Sequence, residues 1–169
     1  MIIIILAGVF AGLLVYGAIY DVLERIIPNW VSIVIALAFL PAAYFAHLTL
    51  HQFGWHLLVG FIAFIAGVVL FYLKAWGGGD AKLVAATSLW MGVSGGMTFL
   101  AAFAIAGGIV AIPLIIVRRL KIEPKNERLA KIFDVKKVPY GVAIAAGGFW
   151  AAPKSLILIN ALNAISVAN

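Results

Sequence analysis

The feature that most constrains this chain is a recurrence of apolar stretches, several close to twenty residues long, separated by short polar or glycine-containing segments. Twenty apolar residues is the length an α-helix needs to cross a hydrocarbon core about 30 Å thick. Lipid offers the backbone no hydrogen-bond partner, so such stretches must satisfy their own N–H and C=O groups as helices. Only 11% of the 169 residues are charged and 66% are apolar, where soluble domains run near a quarter and a half. We therefore expect an all-α, polytopic helical membrane protein with about six transmembrane helices, forming a single domain over 1–169. With no cysteine, disulfides, thiolate metal sites and cysteine nucleophiles are excluded.

The spans are read at 2–20, 30–46, 57–73, 81–91, 97–117 and 138–152, with 155–167 either continuing the last or lying at the interface. The first has no basic region before it and no small-residue cleavage site, and reads as an anchor. Pro28 breaks the first helix or opens the second, and Gly92 to Gly96 reads as a turn. The fourth helix, 81–91, is about 18 Å long, against a core of about 30 Å. If the turn after it lies at the outer interface, Asp80 sits about 10 Å below the opposite face. Trp30, Trp55, Trp76 and Trp90 fall near span ends, where interfacial anchors belong. Gly107-Gly108 and Gly147-Gly148 read as close helix contacts.

Basic residues set the orientation. Arg25 lies in the first connection, Lys74 and Lys82 flank the third, and eight Lys and Arg fall between Arg118 and Lys137. The second and fourth connections hold none, which places the odd-numbered connections in the cytoplasm and both termini outside. The net charge of +6 is thus a matter of orientation and anionic lipid, the expected partner of the 118–137 segment, and no nucleic-acid partner is expected.

Within this apolar chain, Gly77-Gly78-Gly79-Asp80-Ala81-Lys82-Leu83 is the only run of three glycines leading to an acid. Glycine admits backbone conformations closed to other residues and close approach of neighbours, and Asp80 stands where a helix N-cap is expected. On the derived topology Asp21 and Asp80 share one membrane depth. Each reads blandly as a capping or interfacial acid. Read together, they are a carboxyl pair sharing one proton, one acting as base on a water and the other as acid. His47, His51 and His56 straddle a glycine without a nearby acid, and we read them as solvated or interfacial, with no metal site.

Three segments carry a resemblance. Asp21-Val22-Leu23-Glu24-Arg25-Ile26-Ile27-Pro28-Asn29, the Gly77–Leu83 run with its GxGD core, and Pro139-Tyr140-Gly141-Val142-Ala143-Ile144-Ala145-Ala146-Gly147 resemble, in order, the motifs of type IV prepilin peptidases. The resemblance implies an aspartyl endopeptidase with Asp21 and Asp80 catalytic, and with Gly77, Gly79, Lys82, Pro28 and Asn29 supporting the site or substrate. It implies no cofactor. Its substrates would be prepilins and pseudopilins, with a basic leader before an apolar helix, cut at the cytoplasmic face of the inner membrane. Larger members carry an N-terminal segment, often with paired cysteines, associated with N-methylation. Here the first span starts at Ile2 and cysteine is absent, so the chain is similar to the short form serving tight-adherence (Flp-type) pili. Archaeal preflagellin peptidases are near neighbours. Presenilin-like GxGD proteases are an alternative that leaves Pro28-Asn29 and Pro139-Tyr140-Gly141 without a role. A small proton-coupled transporter or assembly subunit would favour acids near the midplane and an internal repeat, and neither is read here.

The topology is tested with accessibility tags. One after His51 should read external and one near Asn126 cytoplasmic; the reverse pattern would put both aspartates on the outer leaflet.

Overall fold

The computed structural model describes residues 1–119 and 138–167. Among them every regular element is helical: α1 (Ile2–Glu24), α2 (Asn29–Phe45), α3 (Leu50–Tyr72), α4 (Gly78–Arg119), α5 (Tyr140–Ala151), a 3₁₀ turn (Ala152–Lys154) and α6 (Leu156–Val167). α1 and α3, 23 residues each, are long and apolar enough to cross a membrane, and α2 is a shorter apolar helix. Large apolar side chains cover the exterior, among them Ile19, Leu37, Phe61, Ile62 and Ile105. Water would not tolerate so continuous an apolar coat. The protein is a polytopic helical membrane protein.

α4 is two helices in one. Gly92 has φ 57° and ψ −162°, outside the helical region, between a first limb (78–91) and a second (93–119). Were the limbs collinear, Trp76 and Phe103 would lie about 40 Å apart at 1.5 Å per residue. Their ring centroids are 5.5 Å apart. The chain therefore doubles back at Gly92, and the expected turn at 92–96 contracts to a single residue with helix on both sides. The six expected passes correspond to α1, α2, α3, the two limbs and α5. The second limb and α5 run antiparallel, with Gly95 beside Ala151, Gly147 against Phe103 and Gly107 beside Ala143.

The reversal seats on His56. A Cβ at Gly92 would stand 2.5 Å from its Cε1 and Nε2. Its Nδ1 lies 2.6 Å from the Leu89 carbonyl, and since a carbonyl can only accept, Nδ1 carries the proton. The ring also stacks on Phe39. The imidazole thus satisfies one of the carbonyls that the end of the limb leaves open. His56 is 2% exposed, which corrects its reading as a solvated or interfacial residue. α3 begins at Leu50, capped by a reciprocal Thr49–Gln52 box, so both His51 and His56 lie in the helix and outside the connection.

Gly92 meets α3 six residues inside its first residue, about 9 Å from that end, and Ala81 meets it at Gly67, five residues or about 7 Å before Tyr72. The first limb is inset at both ends. The turn thus stops short of the level the sequence reading assumed for it, and the Asp80 end of the limb stops short of the matching end of α3.

Trp90 is fully buried, correcting its reading as an interfacial anchor. It stacks on Phe10 at 4.6 Å and donates Nε1–H to the Ile35 carbonyl at 2.9 Å. Its own carbonyl accepts from the Ser155 hydroxyl. One residue, through its side chain and its carbonyl, thereby joins α1, α2 and the start of α6. Asn160 donates to the Ala46 carbonyl, so α6 is a separate helix tied to the end of α2. Gly147 and Gly148 are close contacts, to Phe103 and Leu14, whereas a Cβ at Gly108 meets nothing within 4 Å. The segment expected to meet anionic lipid falls, beyond Arg119, outside the described residues.

Gly92→Ala should cost about 3 kcal/mol or more, combining left-handed strain with a clash on His56. Gly108→Ala, in open helix, should be neutral or stabilise by about 0.5 kcal/mol. Thermal unfolding in detergent compares the two, and equal midpoints would contradict a reversal at Gly92.

Candidate functional site

Asp21 lies in the last turn of α1 and is 5% exposed. Burial of a carboxylate demands donors, and one comes from far along the chain. The Gly141 N–H, at the start of α5, donates to Asp21 Oδ2 at 2.7 Å. Pro139 immediately precedes the first helical residue, Tyr140, so the N–H at 141 is one of those an α-helix leaves open at its start. The helix N-terminus also carries positive potential, which suits an anion. Residue 141 has to be glycine for this contact. A Cβ there would stand 2.9 Å from Asp21 Cβ and 3.2 Å from the Gly17 carbonyl.

Asp80 is 9% exposed. The sequence places it as an N-cap, but α4 begins at Gly78, so Asp80 is the third helical residue. From there Oδ2 reaches back and accepts from the Gly77 N–H at 2.9 Å. This is the return half of a capping box, with the acid in the first turn where the helix dipole favours it.

Gly77 and Gly79 act by their size, whereas a Cβ at Gly78 would make only ordinary contact with Phe71. Gly92 is the glycine with positive φ among the described residues, so 77–79 hold ordinary backbone conformations, and Gly78 and Gly79 are already helical. A Cβ at Gly79 would press to 3.0 Å on both Cβ and the carbonyl of Ile27. The expectation of unusual backbone is corrected. What the run provides is close approach of the α1–α2 connection to the first turn of α4.

The other motif residues meet at the same end. Pro28 is the extended residue just before α2, and Asn29 is the first helical one. Lys82 Nζ donates to Asn29 Oδ1 at 2.9 Å, linking the first and second motifs. Gly141 holds Asp21, and its neighbour Tyr140 faces Trp76, the residue before the Gly77–Asp80 turn. Both acids therefore lie at the end of the bundle where α5 begins. Trp76 packs on Tyr140 at 5.9 Å and on Phe103, closing the apolar side. The sequence reading missed Tyr140 and Gly141 as site residues, although the Pro139-Tyr140-Gly141 segment had been singled out. Proline followed by glycine at a helix start, in a chain with buried acids elsewhere, was the available signal.

The model of the type IV leader peptidase family matches residues 8–112, more than half of the chain. The chain belongs to that family. Comparison with curated proteins and with solved structures found no match. The family match takes in Asp21, Pro28-Asn29 and the Gly77–Lys82 run but stops before Tyr140. What attaches the third segment to the other two motifs is the bond from Gly141 to Asp21. Chemically, two buried carboxyls, each accepting from a backbone N–H through Oδ2, are groups suited to general acid–base work. Histidine and cysteine are absent from the residues just described, and among the described residues no group of three His, Cys, Asp or Glu could hold a metal ion.

Gly141→Ala should destabilise by about 1–3 kcal/mol, since the methyl must push α5 off Asp21. Asn29→Ala removes an exposed hydrogen bond to a charged group and should cost at most about 1 kcal/mol. Detergent melting curves for both variants check this order, and the reverse order would mean that the α5–Asp21 contact is loose.

Proposed function

We propose that this family member is an aspartyl endopeptidase that removes the short basic leader from type IV prepilins and pseudopilins of the Flp type, at the cytoplasmic face of the inner membrane. The observation that carries the reading is that Asp21 and Asp80, both buried, lie at one end of the bundle, Asp21 held by the Gly141 N–H and Asp80 in the turn beside Trp76, which packs on Tyr140. In the proposed mechanism one carboxylate takes a proton from a water, and that water attacks the scissile carbonyl. The other, protonated carboxyl stabilises the developing oxyanion and passes its proton to the leaving amide. Which acid plays which part is a property of the pair.

The recess supports the same reading. Asp80 lies about 7 Å inside the end of α3, by the five-residue offset between Gly67 and Tyr72. A site at that depth accommodates an extended leader entering from the interface, while the apolar helix that follows stays in lipid. Gly77 and Gly79 let the backbone close around Asp80, and Pro28, Asn29 and Lys82 brace the neighbouring connection. The cytoplasmic placement rests on the basic residues Arg25, Lys74 and Lys82 at this end of the bundle.

Co-expression with a prepilin bearing a basic leader tests the reading, with leader removal followed by gel mobility. Asp21→Asn and Asp80→Asn should each abolish processing, by at least about a hundredfold as expected of general acid–base residues, with insertion unchanged. Glu24→Gln, at the exposed end of α1, should retain most activity. Processing by either aspartate variant would remove that residue from the mechanism.

A further inference from the structure

On the side of the first limb turned away from Asp80 lies a second feature. α2 and α3 both pack on α4 but not extensively on each other, which leaves a slot between them. Ser32 and Ala36 form one wall, Phe61 and Phe64 the other, and Ala85 and Leu89 the floor. Phe39 closes the far end by stacking on Phe53 and His56. Lys82 lines the slot at its near end, hydrogen-bonded to Asn29 and exposed. The Ser32 hydroxyl, in a residue 4% exposed, has no hydrogen-bond partner among the described residues.

This is the shape of an amphiphile: an apolar trough with a cation at one mouth and an unused hydroxyl in its wall. From Lys82 to Leu89 the floor runs about 10 Å, within the roughly 15 Å depth of one leaflet. The slot holds about 690 Å³ even counting the space open at its mouth. Over that length this is a cross-section of about 65 Å², room enough for a hydrocarbon chain. The charge selects further: Lys82 attracts an anion and repels a basic leader.

We propose that the slot binds one acyl chain of an anionic membrane lipid, with the lipid phosphate at Lys82 and Asn29. The site is independent of the proteolytic reading and lies on the opposite face of the same helix from Asp80.

Thermal unfolding of the purified full-length protein in detergent tests it, with phosphatidylglycerol, phosphatidylcholine or inorganic phosphate added. Phosphatidylglycerol should raise the midpoint, and the other two should leave it unmoved. Lys82→Gln should increase the half-saturating amount of phosphatidylglycerol about fivefold, the effect of one basic residue near an anionic surface. Ala36→Trp, which fills the trough, should abolish the shift. Equal shifts with phosphatidylcholine, a shift with phosphate alone, or unchanged titrations in both variants would overturn the site. Should Ala36→Trp fail to fold, a phosphatidylglycerol with a photoreactive acyl chain, cross-linked to the wild type, decides the matter. Adducts within 32–36, 60–64 or 82–89 support the slot, and adducts confined elsewhere overturn it, as would cross-linking of a co-expressed prepilin helix there.

Discussion

The reversal at Gly92 is the constraint on which the rest of the structure depends. A helix that stops inside a membrane protein leaves carbonyls open where water is scarce, and each unsatisfied group is costly. His56 answers one of them, through a proton on Nδ1 aimed at the Leu89 carbonyl. The absence of a Cβ at residue 92 lets the ring lie directly under the turn. Once the chain has doubled back there, the second limb returns beside the first and offers α5 a surface along Gly95, Phe103 and Gly107. α5 is in turn the element whose first turn holds Asp21. The candidate catalytic end is therefore positioned by an event about 20 Å away at the other end of the first limb.

Backbone proximity is the second theme, and glycine supplies it. Gly67 lets α3 ride on Ala81, Gly79 admits Ile27, Gly141 admits Asp21, and Gly147 admits the backbone of Phe103. Helices in lipid gain little from hydrophobic exclusion, so close van der Waals contact across small residues carries much of their association. At these two glycines of the candidate site, Gly79 and Gly141, the same closeness has a consequence for the acids. At Gly141 it brings the buried Asp21 carboxylate within reach of a backbone N–H, and at Gly79 it seats the α1–α2 connection on the turn that carries Asp80.

What could be read from the sequence was what local composition controls. Apolar run lengths place the helices. The order of the three motifs anticipates the residues that the structure gathers at one end. What could not be read was what a distant partner controls. His56 looks like a polar residue near a loop until one sees that the Leu89 carbonyl, 33 residues on, is left open by the turn. Trp90 looks like an interfacial anchor because its position at a span end is visible, while Phe10 and the Ile35 carbonyl are not. The role of 77–79 was misjudged for a related reason: a glycine run advertises both conformational freedom and small size, and only the facing residue, Ile27, decides between them.

The spacing of Asp80 and Lys82 follows from the same geometry. Successive helical residues are about 100° apart, so two positions on, a side chain points to nearly the opposite face. Asp80, Val84 and Ser88, four apart, share one face, and the last two line the apolar crevice beside Trp76. Lys82, Ala85, Ala86 and Leu89, spaced by three and four, share the other face and line the slot between α2 and α3. A lysine one residue nearer or farther would leave that slot without its cation. A single fourteen-residue limb thus presents an acid to the interior of the bundle and a base to the membrane. The first turn of a helix is the one place where both can be done with the acid favoured by the dipole. The lysine, on a flexible apolar stem, reaches the interface from a recessed Cα.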